Sequence, residues 1–317
     1  MSLAAWAALG LAGVFLLAAW SVAFTCWVEL RWPRRGQQLK LPAGTVHIEA
    51  RGEGVPVLYL HGAAANARDF SAAVAGKVGD GFLHLLMDRP GYGYSPGGRA
   101  RRSLRAQAQL AAEALERLAG RSAILVGHGA GAAVALRLAL ERPELAAGLV
   151  LIAPLAFGGE APTPFVSRLA AGLGPLFTRV WLPLAAPLLA QNLVSDRFQP
   201  VRAPRAFARK GGAALGLRPF ALAADHAARR RLAADCAEQA ARYHEIAART
   251  IVLTAEADPW ADPARHARPL YAVLPRAELV VIPGAGHMAH QVRPAAAAAA
   301  VRRLAGLTGL LRPQAAP

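Results

Sequence analysis

The sequence predicts an α/β fold in which a mostly parallel central sheet carries helices on both faces. The first observation is a series of continuous apolar runs of strand length that alternate with amphipathic helical stretches; the runs are VPVLYLHG, FLHLLMD, AILVG, AGLVLIAP, TIVLTA and AELVVIP. Such runs are typical of parallel strands that are buried on both faces. The second is that glycine-rich or polar segments follow several of these runs, at the strand ends where open parallel sheets bind ligands.

Residues 1–30 predict a transmembrane helix, because no charged side chain occurs from Met1 to Val28. Such a run can span a bilayer core of about 30 Å as a helix. Basic residues follow it closely, namely Arg31, Arg34, Arg35 and Lys40. The positive-inside rule then predicts a single-pass membrane protein with a cytoplasmic folded domain. A cleaved signal peptide is the alternative, but it requires a basic segment before a shorter apolar core, and no Lys or Arg precedes this one.

The net charge of the chain indicates which partners it could bind and says little about its fold. The formal net charge is +16, from 36 Lys and Arg against 20 Asp and Glu. The basic residues are scattered and no nucleic-acid motif accompanies them, so no nucleic-acid partner is predicted. Beside a membrane span, attraction to anionic lipid headgroups is one consequence of this charge, and a plain compositional bias toward Arg and Ala is the other explanation. The two cysteines, Cys26 and Cys236, offer neither a disulfide framework nor metal spacing, and no cofactor or metal is predicted.

The alternation of strand-like and helical stretches divides the remaining chain into segments. We predict a linker over 31–45, the first part of the α/β core over 46–154 and its second part over 250–317. Between them, residues 155–249 break the strand–helix alternation with several prolines, aromatic patches and consecutive arginines at 229–231. This stretch is predicted to be a helical lid. The alanine-rich C-terminal segment is predicted to form a closing helix.

Five short segments carry the chemistry. They are LHGAAAN (60–66), MDRPGYGYS (87–95), LVGHGAGAAVAL (125–136), TAEADPWADP (254–263) and VIPGAGHMAH (281–290). The third has the outline of a strand–turn–helix corner of the form G-x-S-x-G, on which a nucleophile is mounted. The last two place Asp258 and His287 just past strand ends, in chain order after that corner.

Together these segments resemble the α/β-hydrolase superfamily across about Val46 to Leu311, and most closely its lidded esterases, lipases and epoxide hydrolases. The resemblance places Gly129 at the nucleophile position, Asp258 at the acid position and His287 at the base position. It assigns the oxyanion hole to the backbone N–H groups of Ala63 and Ala130. The implied ligand is small, largely apolar, and ester- or lipid-like.

The sequence departs from the family pattern at one position, because glycine has no atom that can attack a carbonyl. Neighbouring groups are not expected to replace it: His128 should point away from the pocket, and Ser95 belongs to a different loop. His266 and His290 are interpreted as surface residues without metal-ligand spacing. Asp258 has a second interpretation, as a cap of the helix expected near 262–263.

Three functional hypotheses remain open at this stage. The first is a pseudo-hydrolase that binds its ligand or a partner without acyl-enzyme catalysis. The second is a serine-free enzyme in which the His287–Asp258 pair acts as a general base on water or on an acidic substrate proton. The third is an ordinary serine hydrolase whose residue 129 was altered in this sequence; a serine there would act with His287 as base and Asp258 orienting it.

Overall fold

The central sheet of the computed structural model is mostly parallel, as the apolar runs predict. The structure describes residues 2–98, 102–158 and 194–310. Within these ranges the strands are β1 (Gln37–Leu41), β2 (Gly44–Arg51), β3 (Val55–Leu60), β4 (Phe82–Asp88), β5 (Ala123–His128), β6 (Ala146–Ile152), β7 (Arg249–Ala255) and β8 (Ala277–Ile282). They form one sheet in the order β1-β2-β4-β3-β5-β6-β7-β8, in which β2 is antiparallel to both neighbours and the other pairs are parallel.

Helices cover both faces of this sheet. Those in the described ranges are α1 (Leu3–Arg31), α2 (Arg68–Phe70), α3 (Gly76–Val78), α4 (Leu104–Ala119), α5 (Ala130–Glu141), α6 (Arg205–Lys210), α7 (Pro219–Ala240), α8 (Ala267–Val273), α9 (Ala289–Val292) and α10 (Pro294–Leu307). Alternate residues of β3 show the two faces: Leu58 belongs to the core formed with α4 and α5, whereas Tyr59 belongs to the core formed with α10. The period-two placement of buried side chains therefore builds two separate apolar layers on one sheet.

The predicted linker over 31–45 contains a strand. In β1, Leu39 and Leu41 alternate with polar residues and pack half-buried against the core, and Leu39 pairs with Val46 of β2. An edge strand needs only one buried face and remains largely polar, so its apolar pattern is weak in a sequence. The core consequently begins earlier than the predicted residue 46.

Helix α1 has two parts with different surroundings. Its N-terminal part exposes large apolar side chains such as Leu11 and Phe15. Near its C-terminal end, Phe24 and Val28 are buried in a small apolar cluster with residues 215 and 217. In length and composition α1 meets the requirement for crossing a membrane, as a signal sequence also does, and almost none of its most apolar stretch is buried within the protein.

The chain between β6 and β7, here called the inserted segment (residues 153–248), is described at 153–158 and 194–248. Most of the predicted lid over 155–249 falls in it, and residues 159–193 lie outside the described residues. Its described part contains α6 and the long helix α7. Asp225 of α7 accepts a hydrogen bond from the backbone N–H of Ala64, in the loop after β3 (2.8 Å). The inserted segment is therefore anchored beside the carboxyl ends of the parallel strands.

Candidate functional site

The corner between β5 and α5 has the backbone shape that presents a nucleophile. Gly129 has φ 54° and ψ −116°, a conformation that side chains other than glycine adopt only under strain. Its N–H donates to the Ile152 carbonyl (3.0 Å), and its own carbonyl accepts from the N–H groups of Ala132 and Leu155. Gly131 is required for a steric reason, because a Cβ there would collide with the Leu60 carbonyl oxygen. The turn is thus fixed from both sides and the helix packs directly on the sheet.

Asp258 and His287 are brought together at this corner from the ends of β7 and β8. His287 Nδ1 lies 3.0 Å from Asp258 Oδ2, and both residues are buried. The other carboxylate oxygen accepts from the N–H groups of Trp260 (2.8 Å) and Ala261 (2.9 Å). One oxygen of the Asp258 carboxylate therefore stabilises the turn after β7, and the other orients the imidazole of His287. Asp258 thus has both of the roles that the sequence left as alternatives. The capped element is this turn; the nearest described helix, α8, begins at Ala267.

The electrostatics of this pair favour an ionised carboxylate. Burial acts to raise the pKa of Asp258, but the charge and hydrogen bond of His287, together with the two backbone N–H groups, outweigh it and lower the pKa. An ionised Asp258 holds the imidazole with Nδ1 protonated, so the free Nε2 faces the corner and can accept a proton.

Position 129 faces that free nitrogen directly. A Cβ built on Gly129 would lie 3.4 Å from His287 Nε2 and 3.5 Å from its Cε1, which is ordinary van der Waals contact. A small side chain would fit this space without moving the imidazole. Position 129 and His287 Nε2 thus face each other directly, and glycine places no side-chain atom in the space between them.

The two residues expected to supply the oxyanion hole lie at the same place. Ala63, Ala130 and His287 line one small cavity of about 20 Å³. A cavity needs about 10–15 Å³ of such volume to hold a water molecule, so one water fits here. The structure therefore gathers the predicted oxyanion residues and base around one cavity; Ala130 directly follows Gly129 in the chain, and Asp258 lies on the far side of the imidazole.

The loop that carries Ala63 is held by a buried histidine. His61 Nδ1 lies 2.8 Å from the Gly62 carbonyl, and its Nε2 accepts from the N–H of Arg89 (3.0 Å). Burial and, after it, the charge of Arg89 lower the pKa of His61 to about 4. The neutral tautomer with the proton on Nδ1 satisfies both contacts, which is the state that the buried position favours.

His128 and His290 differ from the sequence interpretation. His128 lines the cavity, and its Nε2 lies 3.0 Å from the His287 carbonyl oxygen. His290, expected at the surface, is fully buried with its ring 4.3 Å from that of His128. Asp69 lies 3.1 Å from His290 Nε2, although the contact is not aligned as a hydrogen bond. The turn before α9 brings the ring of His290 inward, which its exposed-looking sequence context did not indicate.

Donor atoms of Asp69, His128 and His290 all lie within 4.8 Å of one another, a grouping that could hold a metal ion and that the sequence spacing did not predict. Burial acts to raise the pKa of Asp69, but the neighbouring imidazoles outweigh it and lower the pKa. Burial and the two adjacent imidazoles lower the pKa of His128 well below its usual value. Neutral His128 donates from Nε2 to the His287 carbonyl and so stabilises the loop that carries His287.

Ser95 and His266, both considered in the sequence analysis, lie outside the site. Ser95 is buried beside β2 and the end of β4, where its hydroxyl donates to the Asp88 carbonyl (2.5 Å) and accepts from the His47 N–H (2.7 Å). It is occupied there and does not join the site. His266 is half-buried and its Nδ1 accepts from the Phe157 N–H (3.3 Å), so it has a structural contact rather than a free surface position.

Two arginines of the inserted segment enter the site, and the sequence analysis did not assign them there. Arg197 and Arg229 both line the cavity with His287. Arg197 Nη1 donates to the Ala63 carbonyl (3.0 Å), and Arg229 pairs with Asp225 (2.6 Å). Only their position in the folded segment distinguishes them from the many scattered arginines of this chain.

Comparison with known proteins finds relatives among hydrolases. A 2-(acetamidomethylene)succinate hydrolase of Mesorhizobium japonicum is 27% identical over 254 residues, which cover 79% of this chain and 87% of that protein. A 2-hydroxy-6-oxononadienedioate/2-hydroxy-6-oxononatrienedioate hydrolase of a Pseudomonas species is 30% identical over 125 residues, which cover 38% of this chain and 44% of that protein. These curated relatives are hydrolases, and the chain spans less than half of the Pseudomonas protein.

The fold comparison reaches further along the chain. The crystal structure of a hydrolase from Pseudomonas aeruginosa superposes with a TM-score of 0.71 at 22% identity, covering 85% of this chain and 98% of that one. At this identity the likeness concerns the fold alone. A family model for the alpha/beta hydrolase family matches residues 57–301, most of the sheet and all of the described site. The chain therefore belongs to the α/β-hydrolase family.

Proposed function

We propose that this protein is a membrane-anchored member of the family that binds a small, largely apolar, ester- or lipid-like ligand and does not form an acyl-enzyme. The observation that carries the proposal is the corner itself, where the base nitrogen of His287 faces a glycine. Covalent catalysis needs an oxygen, sulfur or carboxylate that attacks the substrate, and position 129 supplies none.

The membrane part of the proposal rests on α1. Its 29 residues are long enough for a bilayer core of about 30 Å, and its large apolar side chains are exposed over most of its length. Exposed apolar surface of this extent is unfavourable in water and favourable in lipid. The basic residues that follow the helix support a cytoplasmic position for the folded domain.

One observation favours a second function, serine-free hydrolysis. The buried Asp258–His287 contact orients a base toward a cavity that is large enough for one water. A base so placed can take a proton from water while that water attacks an ester carbonyl, and the backbone N–H groups of Ala63 and Ala130 would stabilise the resulting oxyanion.

One comparison decides between the two functions: turnover of a panel of short- and medium-chain chromogenic esters by the unaltered chain and by His287→Ala. The proposal predicts equal, weak rates for both proteins across pH. An oxyanion hole and binding alone can accelerate hydrolysis by about 10³–10⁴ over water, so weak activity is compatible with it. Turnover that rises with pH and is lost in His287→Ala would contradict the pseudo-hydrolase and establish the serine-free enzyme. Asp262→Ala, a change at an exposed acid outside the site, is the matched control.

A further inference from the structure

A large apolar chamber lies between α1 and the inserted segment. Its volume is about 1160 Å³, slightly above the range of about 300–1,000 Å³ common for ligand pockets. One wall is a single face of α1, formed by Trp20, Ala23, Phe24 and Trp27, which follow the three- and four-residue spacing of a helix. Because α1 has the composition of a membrane span, this wall borders the place where lipid would lie.

A smaller cavity lies between the chamber and the site cavity and shares lining residues with each. This cavity of about 60 Å³ shares Phe207 and Leu217 with the chamber. It also shares Arg197, Arg229 and Met288 with the cavity that contains His287. The three cavities thus follow one another from the face of α1 to the catalytic corner.

Two arginines lie at the inner end of this route, Arg197 and Arg229. Arg229 is paired with Asp225, whereas Arg197 contacts no carboxylate in the described ranges. Burial and, after it, the charge of Arg229 lower the pKa of Arg197, but a guanidinium remains protonated at physiological pH. Asp69 also lines the middle cavity, so two arginines and two carboxylates meet there. Arg197 is the arginine of the two whose guanidinium has no direct carboxylate contact among the described residues, and the low dielectric of a buried position strengthens its attraction for an anion.

We propose that the chamber holds the hydrocarbon chain of an anionic, single-chain amphiphile of the fatty-acid class, which enters from the bilayer beside α1 and places its anionic group at Arg197. This inference rests on the proposed function, because it needs the membrane anchor and the ligand site. The apolar wall and the cation at opposite ends of one route match the two ends of such a molecule. The amphiphile is also the occupant that a membrane beside α1 supplies.

The test uses the full chain in phosphatidylcholine vesicles and a long-chain fatty acid that carries a photoreactive diazirine near its methyl end. After irradiation, mass spectrometry maps the label. We expect label on residues 205–217 of the inserted segment, displaced by an excess of unlabelled fatty acid. The methyl ester of the probe lacks the anion and is expected to give at least about tenfold less label there, the scale of losing one charge-assisted contact.

Matched variants separate the chamber from plain partition into lipid. Ala23→Phe fills the chamber wall and should abolish label on 205–217, whereas Ala18→Phe adds the same ring on the opposite face of α1 and should not. Arg197→Gln should reduce that label at least about tenfold, and Arg205→Gln, at an exposed position, should leave it unchanged. Label confined to α1, or equal labelling in the two phenylalanine variants, would overturn the inference.

The outcomes also separate this inference from the proposed function. If Gly129→Ser hydrolyses short-chain esters while no specific label reaches 205–217, the chamber inference alone is wrong. If Gly129→Ser is inert while labelling is saturable and sensitive to Ala23→Phe, the chamber remains and the catalytic frame is wrong.

Discussion

Ester hydrolysis is expected to appear in the Gly129→Ser variant, at least about a hundredfold above the unaltered chain in kcat/KM. The backbone at this position already has the required shape, and the added Cβ would lie 3.4 Å from His287 Nε2. A hydroxyl oxygen one bond further reaches hydrogen-bond distance of that nitrogen. The strain of a side chain at φ 54° costs about 1–3 kcal/mol, which lowers stability without removing the geometry.

Two controls make the gain interpretable. Gly129→Ala carries the same backbone strain without the hydroxyl and should remain inactive. His287→Ala in the Gly129→Ser background should remove the gain, because the serine then lacks its base. A Gly129→Ser protein that melts like Gly129→Ala and still hydrolyses no ester of the panel would show that the corner is no longer a catalytic frame.

Acid should destabilise the folded domain through His61. Its pKa of about 4 in the folded protein lies below the unfolded value of about 6.5, so the unfolded chain binds more protons between these values. The free energy of unfolding therefore rises with pH across this window. Below about pH 4 the whole contribution of His61 to the free energy of unfolding, about 3 kcal/mol, has been lost. The structural cause is that a second proton on Nε2 would face the N–H of Arg89.

Urea unfolding from pH 4 to 7 measures this effect. The His61→Gln variant has no imidazole to titrate and should show a shallower rise than the unaltered chain. Buried His128, whose pKa is also lowered, contributes in the same direction and keeps some slope. His244→Gln, a change at an exposed histidine, should keep the full slope. Equal slopes in His61→Gln and the unaltered chain would contradict the assignment.

The parts of the fold that the sequence predicts well are those with strong local patterns. The parallel strands are continuous apolar runs, and β3 to β7 are buried over nearly their whole length, whereas β8 at the edge of the sheet is half-buried. The proximity of Asp258 and His287 could be predicted because both follow strand ends, and strand ends converge at one edge of a parallel sheet. The closing helix Pro294–Leu307 follows from its alanine content.

What the sequence did not show depends on long-range contacts. The inward turn of His290 and the direction of His128 are set by how the last loop packs on the corner, over a separation of more than 150 residues. Arg197 joins the site only through the path of the inserted segment, and no spacing relates it to Ala63. The sequence predicts a linker where the structure has β1, because an edge strand has only one apolar face and a weak apolar pattern.

The most direct test of the central claim, that the catalytic frame is present and only its attacking atom is missing, is the intact mass of the full chain after exposure to a reactive alkyl fluorophosphonate. Such a reagent bonds to a nucleophile that a base activates. The account predicts no adduct on the unaltered chain and one adduct on Gly129→Ser, located at position 129 and lost when His287→Ala is added. An adduct on the unaltered chain that His287→Ala abolishes would contradict it, because another side chain would then be the nucleophile.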